Sequence, residues 1–206
     1  MEAILIHGMG RTPAAMSILG ARLGRAGIRP HLFGYSVTFE RWDECIQRYK
    51  NFIEKRTQTN DYIIVGHSLG TVLTRATLPR LTHKPTACFF LAPPTQVTRA
   101  ARNFAHHRLI RLFMGEIGHV LADRQFMETL PLPNVPTKIY AGTAGPRGRY
   151  SPFGEELNDG LLTVNETLLP SVPMQTVPSL HTFIMNSKVV TQDIVRIANS
   201  NLKAGA

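Results

Sequence analysis

An α/β fold, with a mostly parallel sheet of about six strands and helices on both faces, is predicted by three features of the sequence. Short apolar segments rich in β-formers alternate with longer amphipathic ones along the 206 residues, the order expected of repeated strand-helix-strand units. The strand-sized segments "AILI", "YIIV" and "ACFFL" are apolar without interruption, which suits strands covered on both sides. The length and the 43% hydrophobic content are those of one domain with a sizeable core, and no apolar run approaches the ~20 residues that cross a bilayer.

Taken in order, the first strand is read in "AILIHGM" and the first helix in "PAAMSILGARLGRAG", where Pro13 suits an opening turn and Gly27 a C-cap. The strand "RPHLFGY" then leads to the helix "FERWDECIQRYKNFIEK", and "DYIIVGH" leads to "LGTVLTRATLPRL". "TACFFLAPP", "TKIYAGTAG" and "MQTVPSL" supply three further strands, and "VVTQDIVRIANSNLK" is the closing helix. The connection from Thr95 to Val135 is longer than the dozen or so residues a crossover needs. It is expected to form a small helical cap or lid, residues 95–135, within a single domain of residues 1–206. Val97, Ala101, Phe104 and Ala105 share one helical face of it and Arg99, Arg102 and His106 another, while Arg108 and Arg111 fall on the apolar side. A solvated basic helix packed on the domain and an interfacial lid are both compatible with that pattern.

The net charge of +9 and the pI near 10.1 set up a field that attracts nucleic acid, anionic lipid or acidic substrates. No zinc-finger spacing, aromatic RNA-binding signature or continuous Lys/Arg block accompanies it, so nucleic acid is not an expected partner. An anionic membrane surface, met through the basic cap and through "GPRGRY" with Arg147 and Arg149, is the alternative to a plain solvated basic loop, which is the expected reading. Cys45 and Cys88 sit in helix and strand patterns and read as packed free thiols, and no metal or organic cofactor is expected. "AILIHG" follows Met1 almost at once without a secretory signal pattern, so the expected location is cytoplasmic, peripheral membrane contact being the alternative.

The stretch "VGHSLG" places Ser68 between Gly66 and Gly70, after a buried strand and before a helix. That is the setting of a nucleophile elbow, a turn so tight that both flanking positions must lack side chains. A serine hydroxyl is a weak nucleophile at neutral pH, so it needs a histidine base and a carboxylate to orient that base, in the chain order Ser, acid, His. His83, His106, His107 and His119 fall in helix-end or cap segments, whereas His181 ends the last strand pattern and is the candidate base. Asp123 and Asp159 are the aspartates between Ser68 and His181. Asp159 follows a strand and precedes Gly160, which permits a tight turn, while Asp123 lies inside the cap pattern; Glu155 and Glu156 are the remaining alternatives. Two backbone N–H groups suit a developing oxyanion: that of Leu69, at a helix N-terminus, and that of Met9, in the flexible "HGMG" turn after the first strand.

With these residues identified, the chain resembles a small α/β-hydrolase of the lipase/esterase family, similar to compact bacterial triacylglycerol lipases and to the PGAP1-like group. The resemblance rests on "ILIHGMGRT", "IIVGHSLGT", "NDGLLTVNET" and "HTFIMN", four segments in the family's order that span nearly the whole chain. It implies an α/β-hydrolase fold, a Ser68, Asp159, His181 triad with Met9 and Leu69 as backbone donors, and cleavage of a small-molecule ester or lipid through an acyl-enzyme. An acyltransferase or thioesterase on the same triad, and a non-catalytic scaffold that keeps the fold, are the alternative functions.

Overall fold

In the first strand, β1 (Glu2–Ile6), Ile4 and Ile6 pack into the core on one side of the sheet and Ala3 and Leu5 into that on the other. All four are fully buried, which is why the segment carries no polar alternation. The computed structural model describes residues 1–58, 60–100, 115–149 and 151–204, with side chains through residue 200. The other strands are β2 (Arg29–Phe33), β3 (Tyr62–His67), β4 (Ala87–Leu91), β5 (Thr137–Gly142) and β6 (Met174–Val177). They form one sheet in the order β2-β1-β3-β4-β5-β6, and every pairing is parallel.

Helices lie on both faces, as the alternation predicts. Met16, Leu19 and Leu23 of α1 (Ser17–Arg25) and its lead-in turn share a core with Val190, Ile194 and Ala198 of α5 (Lys188–Ala204). On the opposite face α2 (Trp42–Thr57) contributes Cys45, Ile46, Tyr49 and Ile53, and α3 (Leu69–Thr77) contributes Val72 and Leu73. Asp43 and Glu44 in the first turn of α2 and Lys55 and Arg56 in its last complement the helix dipole. Both cysteines are free thiols buried in the core; burial pushes that of Cys45 up to about 12 and that of Cys88 higher still. Gly27 closes α1 in the left-handed region at φ 79. Pro13 opens a 3-10 turn, Pro13–Met16, which leads into α1.

Because β1 and β3 are neighbours while the chain leaves β1 for β2, the connections diverge at the carboxyl ends of β1 and β3 and open a crevice there. Both "HGMG" and Ser68 emerge at that edge. α3 lies under it and is buried along almost its whole length. Thr71, Thr74 and Thr77 donate their hydroxyls to the carbonyls of Ser68, Gly70 and Leu73, so the buried polar groups are satisfied within the helix. Arg75 is buried too and holds the carbonyls of Leu130 and Pro131; burial lowers its guanidinium to about 10. On the other face Asp193 ties α5 to β5, accepting from Lys138 at 2.5 Å and Tyr140 at 2.7 Å. Burial alone would raise the Asp193 carboxyl, but these bonds and one from Arg196 outweigh it and hold it at about 2.

Two expectations change in detail. The last strand stops at Val177 because Pro178 has no N–H for the ladder and Ser179 turns back to the Val177 carbonyl at 2.8 Å. His181 therefore opens a 3-10 turn, His181–Asn186, rather than ending the strand. Asp123, the alternative acid, is exposed and caps the short helix α4 (Arg124–Thr129) through the Phe126 N–H. Residues 101–114, which carry Ala101, Phe104, Ala105, Arg102, His106, Arg108 and Arg111 of the expected amphipathic segment, lie outside the described residues. Val97 packs on the α2/α3 core, and Arg99 is paired with Glu156 rather than presented to solvent alone.

A side chain at position 70 has no room, since a Cβ there would stand 2.6 Å from the His7 carbonyl oxygen and 2.8 Å from that of Ile6, both main chain. Gly70→Ala is therefore expected to destabilise the fold by about 2–3 kcal/mol. Thermal unfolding should show the midpoint lowered by about 5–10 °C, and an unchanged midpoint would contradict this packing.

Candidate active site

Ser68 is held at φ 51 and ψ −123, a backbone conformation that a residue with a side chain rarely adopts. The strain is sustained from both sides, because its N–H donates to the Leu91 carbonyl at 2.9 Å and its own carbonyl accepts from Thr71. The hydroxyl thus stands at the end of β3 and the start of α3. Its Oγ lies 3.0 Å from Nε2 of His181.

The other imidazole nitrogen of His181, Nδ1, lies 2.7 Å from Oδ2 of Asp159. A carboxylate only accepts, so Nδ1 carries the proton and Nε2 offers its lone pair to the Ser68 hydroxyl. Asp159 is 2% exposed, and its second oxygen accepts from the N–H groups of Leu161 at 2.9 Å and Leu162 at 2.7 Å. Gly160, at φ 92, permits the turn that aims those amides. The Asp159 side chain also lies against the end of β5, where a Cβ on Gly142 would stand 2.7 Å from the Asp159 Cβ. The main chain completes the link, with the His181 N–H donating to the Asp159 carbonyl at 2.9 Å.

The turn after β1 is packed directly on this arrangement. A Cβ on Gly8 would fall 2.9 Å from the Cβ of Ser68 and 2.8 Å from Nδ1 of His67, so the absence of a side chain lets the loop close over the serine. His7 donates from Nδ1 to the Gly8 carbonyl at 2.8 Å and accepts at Nε2 from the Tyr35 N–H at 3.4 Å. Its ring stacks on Tyr35 at 4.5 Å. In a trans peptide the carbonyl and the following N–H point opposite ways, so the Met9 N–H faces away from the group that binds the Gly8 oxygen. Neither Met9 nor Leu69 donates its N–H within the turn and loop hydrogen bonds of the described residues. An imidazole acceptor on a serine hydroxyl, with a carboxylate behind it, is an arrangement that can activate a hydroxyl for nucleophilic attack.

Of the other candidates, Glu155 is exposed and Glu156 pairs with Arg99. His83 packs edge-on against Tyr62, and His119 precedes a 3-10 turn, Val120–Ala122. His106 and His107 lie outside the described residues. Two histidines of the site are not singled out by the sequence. His67, inside the elbow motif, is buried with its Nε2 3.0 Å from the His181 carbonyl, and His7 holds the glycine turn. Burial holds the imidazoles of both below their ordinary value, His67 well below it, with repulsion from His181 adding to the effect there.

Residues 3–193 match the model of the alpha/beta hydrolase family. No curated protein matches the chain in sequence. Among solved structures, the mature lipase BlEst2 of Bacillus licheniformis is similar at a TM-score of 0.74 and 15% identity, over 96% of this chain and 91% of the lipase. An extracellular alpha/beta-hydrolase from a Paenibacillus species is similar at a TM-score of 0.65 and 12% identity, over 96% of this chain and 98% of that one. RedJ, a thioesterase of Streptomyces coelicolor, is similar at a TM-score of 0.60 and 13% identity, over 98% and 90%. At these identities the likeness is one of fold.

The buried histidines give stability a pH dependence of defined sign. With folded-state values below the ordinary 6.5, the unfolded chain takes up protons that the folded chain refuses. The contribution is fully present above about pH 6.5 and is lost as the pH falls below it, before ordinary carboxylates titrate near pH 4. Denaturant midpoints are expected to fall between about pH 7.5 and about pH 5; a midpoint constant over that window would contradict the burial of neutral imidazoles.

Proposed function

This chain belongs to the alpha/beta hydrolase family, and we propose that it is a serine esterase or lipase, a hydrolase of carboxylic esters acting through an acyl-enzyme. The observation that carries the reading is the unbroken chain from the Ser68 hydroxyl through the His181 ring to the Asp159 carboxylate, at 3.0 Å and 2.7 Å. Ser68 Oγ attacks the ester carbonyl carbon as His181 Nε2 takes its proton. The negative charge that develops on the carbonyl oxygen is met by the N–H groups of Met9 and Leu69, the latter at the N-terminus of α3.

Collapse of the tetrahedral intermediate breaks the bond to the alcohol oxygen, which leaves with the proton from His181 and gives acyl-Ser68. Water then gives a proton to His181 and attacks the acyl carbon, and its collapse returns Ser68 and releases the carboxylic acid. Two amides and one ring N–H satisfy the Asp159 carboxylate, which orients His181 and stabilises the imidazolium that forms at each step. The reaction uses groups of this chain and water alone.

The same proposal treats residues 1–206 as one domain with residues 95–135 as its cap. The start of the cap is fastened to the acid loop, since Thr95 bonds the Glu166 carbonyl, the Arg99 N–H donates to the Glu166 carboxylate at 2.6 Å, and Arg99 pairs with Glu156. Among the described residues no helix is long and apolar enough to cross a membrane.

Ser68→Ala is expected to abolish turnover of p-nitrophenyl esters, and Asp159→Asn to lower kcat by about 10³–10⁴-fold by favouring the wrong tautomer of His181. Turnover retained in Ser68→Ala would overturn the proposal. Assays across esters of graded acyl length, with alcohols and thioesters added, separate hydrolysis from acyl transfer and thioester cleavage.

A further inference from the structure

We infer that His67 is a positioning residue for the proposed triad, holding the main chain of His181 so that its ring keeps its place when Ser68 no longer binds it. The inference rests on the esterase reading above. Acylation replaces the Ser68 hydroxyl proton, and with it the hydrogen bond from Oγ to His181 Nε2. The base must nevertheless stay in position to take a proton from water. Only contacts that avoid the reacting atoms can hold it there.

His67 supplies such a contact. Its Nε2 lies 3.0 Å from the carbonyl oxygen of His181, across 114 residues of sequence. A carbonyl only accepts, so Nε2 carries the proton and Nδ1 does not. The two rings lie 4.9 Å apart and tilted by 49°. His67 itself cannot shift, because it ends β3 in register with Leu91 of β4 and is 2% exposed. With the His181 N–H bound to the Asp159 carbonyl, the peptide groups on both sides of His181 are held by the acid and by the residue next to the nucleophile.

The cost of this arrangement indicates that the contact matters. Nδ1 of His67 is buried without a hydrogen-bond partner, facing Gly8, where an added Cβ would come within 2.8 Å. A buried unpaired nitrogen is unfavourable, and an aliphatic side chain would fill the space without it. What an aliphatic chain lacks is the N–H for His181.

The test is pre-steady-state and steady-state kinetics with a p-nitrophenyl ester, where release of p-nitrophenol reports acylation and the later steady rate reports deacylation. His67→Leu is expected to slow deacylation by about 10–100-fold, with acylation changed by no more than about a third of that factor, so kcat and KM fall together. Glutamine, whose amide nitrogen reaches about as far as Nε2, is expected to restore most of the deacylation rate. Asparagine is too short to reach the carbonyl and is expected to behave as leucine does. If the leucine variant does not fold, the glutamine and asparagine pair decides the matter. Equal slowing of both steps, an unchanged deacylation rate, or glutamine as slow as asparagine would overturn the inference. Loss of Ser68-dependent turnover in the unmodified protein would instead overturn the esterase reading, which the Ser68→Ala control detects separately.

Discussion

The left-handed backbone at Ser68 is the constraint on which the rest of the structure depends. A serine at φ 51 is unfavourable by itself and persists only because the strand before it and the helix after it are both buried and fixed. Strand and helix meet so closely that a Cβ on Gly66 would lie 3.2 Å from the Gly70 main chain. Gly70 in turn rests on the carbonyls at the end of β1. The elbow, the core and the turn that follows β1 are therefore parts of one packing arrangement. Nothing at the centre of the site adjusts alone.

Around that centre the atoms that would react in the proposed mechanism and the atoms that support them are different. Asp159 uses one oxygen for His181 and the other for two backbone amides. His7 grips the Gly8 carbonyl, and among the described residues the next amide enters no turn or loop hydrogen bond. His67 reaches the His181 main chain rather than its ring nitrogens. Three imidazoles so close together repel when charged, and burial keeps two of them neutral. In the proposed reaction the serine proton therefore passes to His181, whose Nε2 is the imidazole nitrogen at hydrogen-bond distance from the hydroxyl among the described residues.

Much of this was legible in the sequence because the physics involved is local. Uninterrupted apolar runs mark strands covered on both sides, and the glycines flanking Ser68 and following Asp159 mark turns whose backbone excludes or strains a side chain. Chain order, with its place at the end of the last strand pattern, then makes His181 the candidate base. What the sequence does not reveal depends on distant contacts. The bond from His67 to His181 joins residues 114 positions apart, and the His7–Tyr35 stack joins residues 28 apart. Arg75 falls among the buried residues of α3, where an arginine reads as solvent-facing until Leu130 and Pro131 arrive from beyond the cap to bind it. The last strand ends earlier than its composition suggests for a smaller reason: "MQTVPSL" keeps a strand composition through Pro178, but a proline nitrogen cannot continue the ladder.

On the proposed reading the hydroxyl of Ser68 is activated by its neighbours while other serines are not. Mass spectrometry of the folded protein after exposure to a fluorophosphonate reports this directly. One adduct per chain is expected, mapped to the peptide that carries Ser68 and absent after unfolding. A native protein that takes up no reagent, or that carries the adduct on another residue, would contradict it.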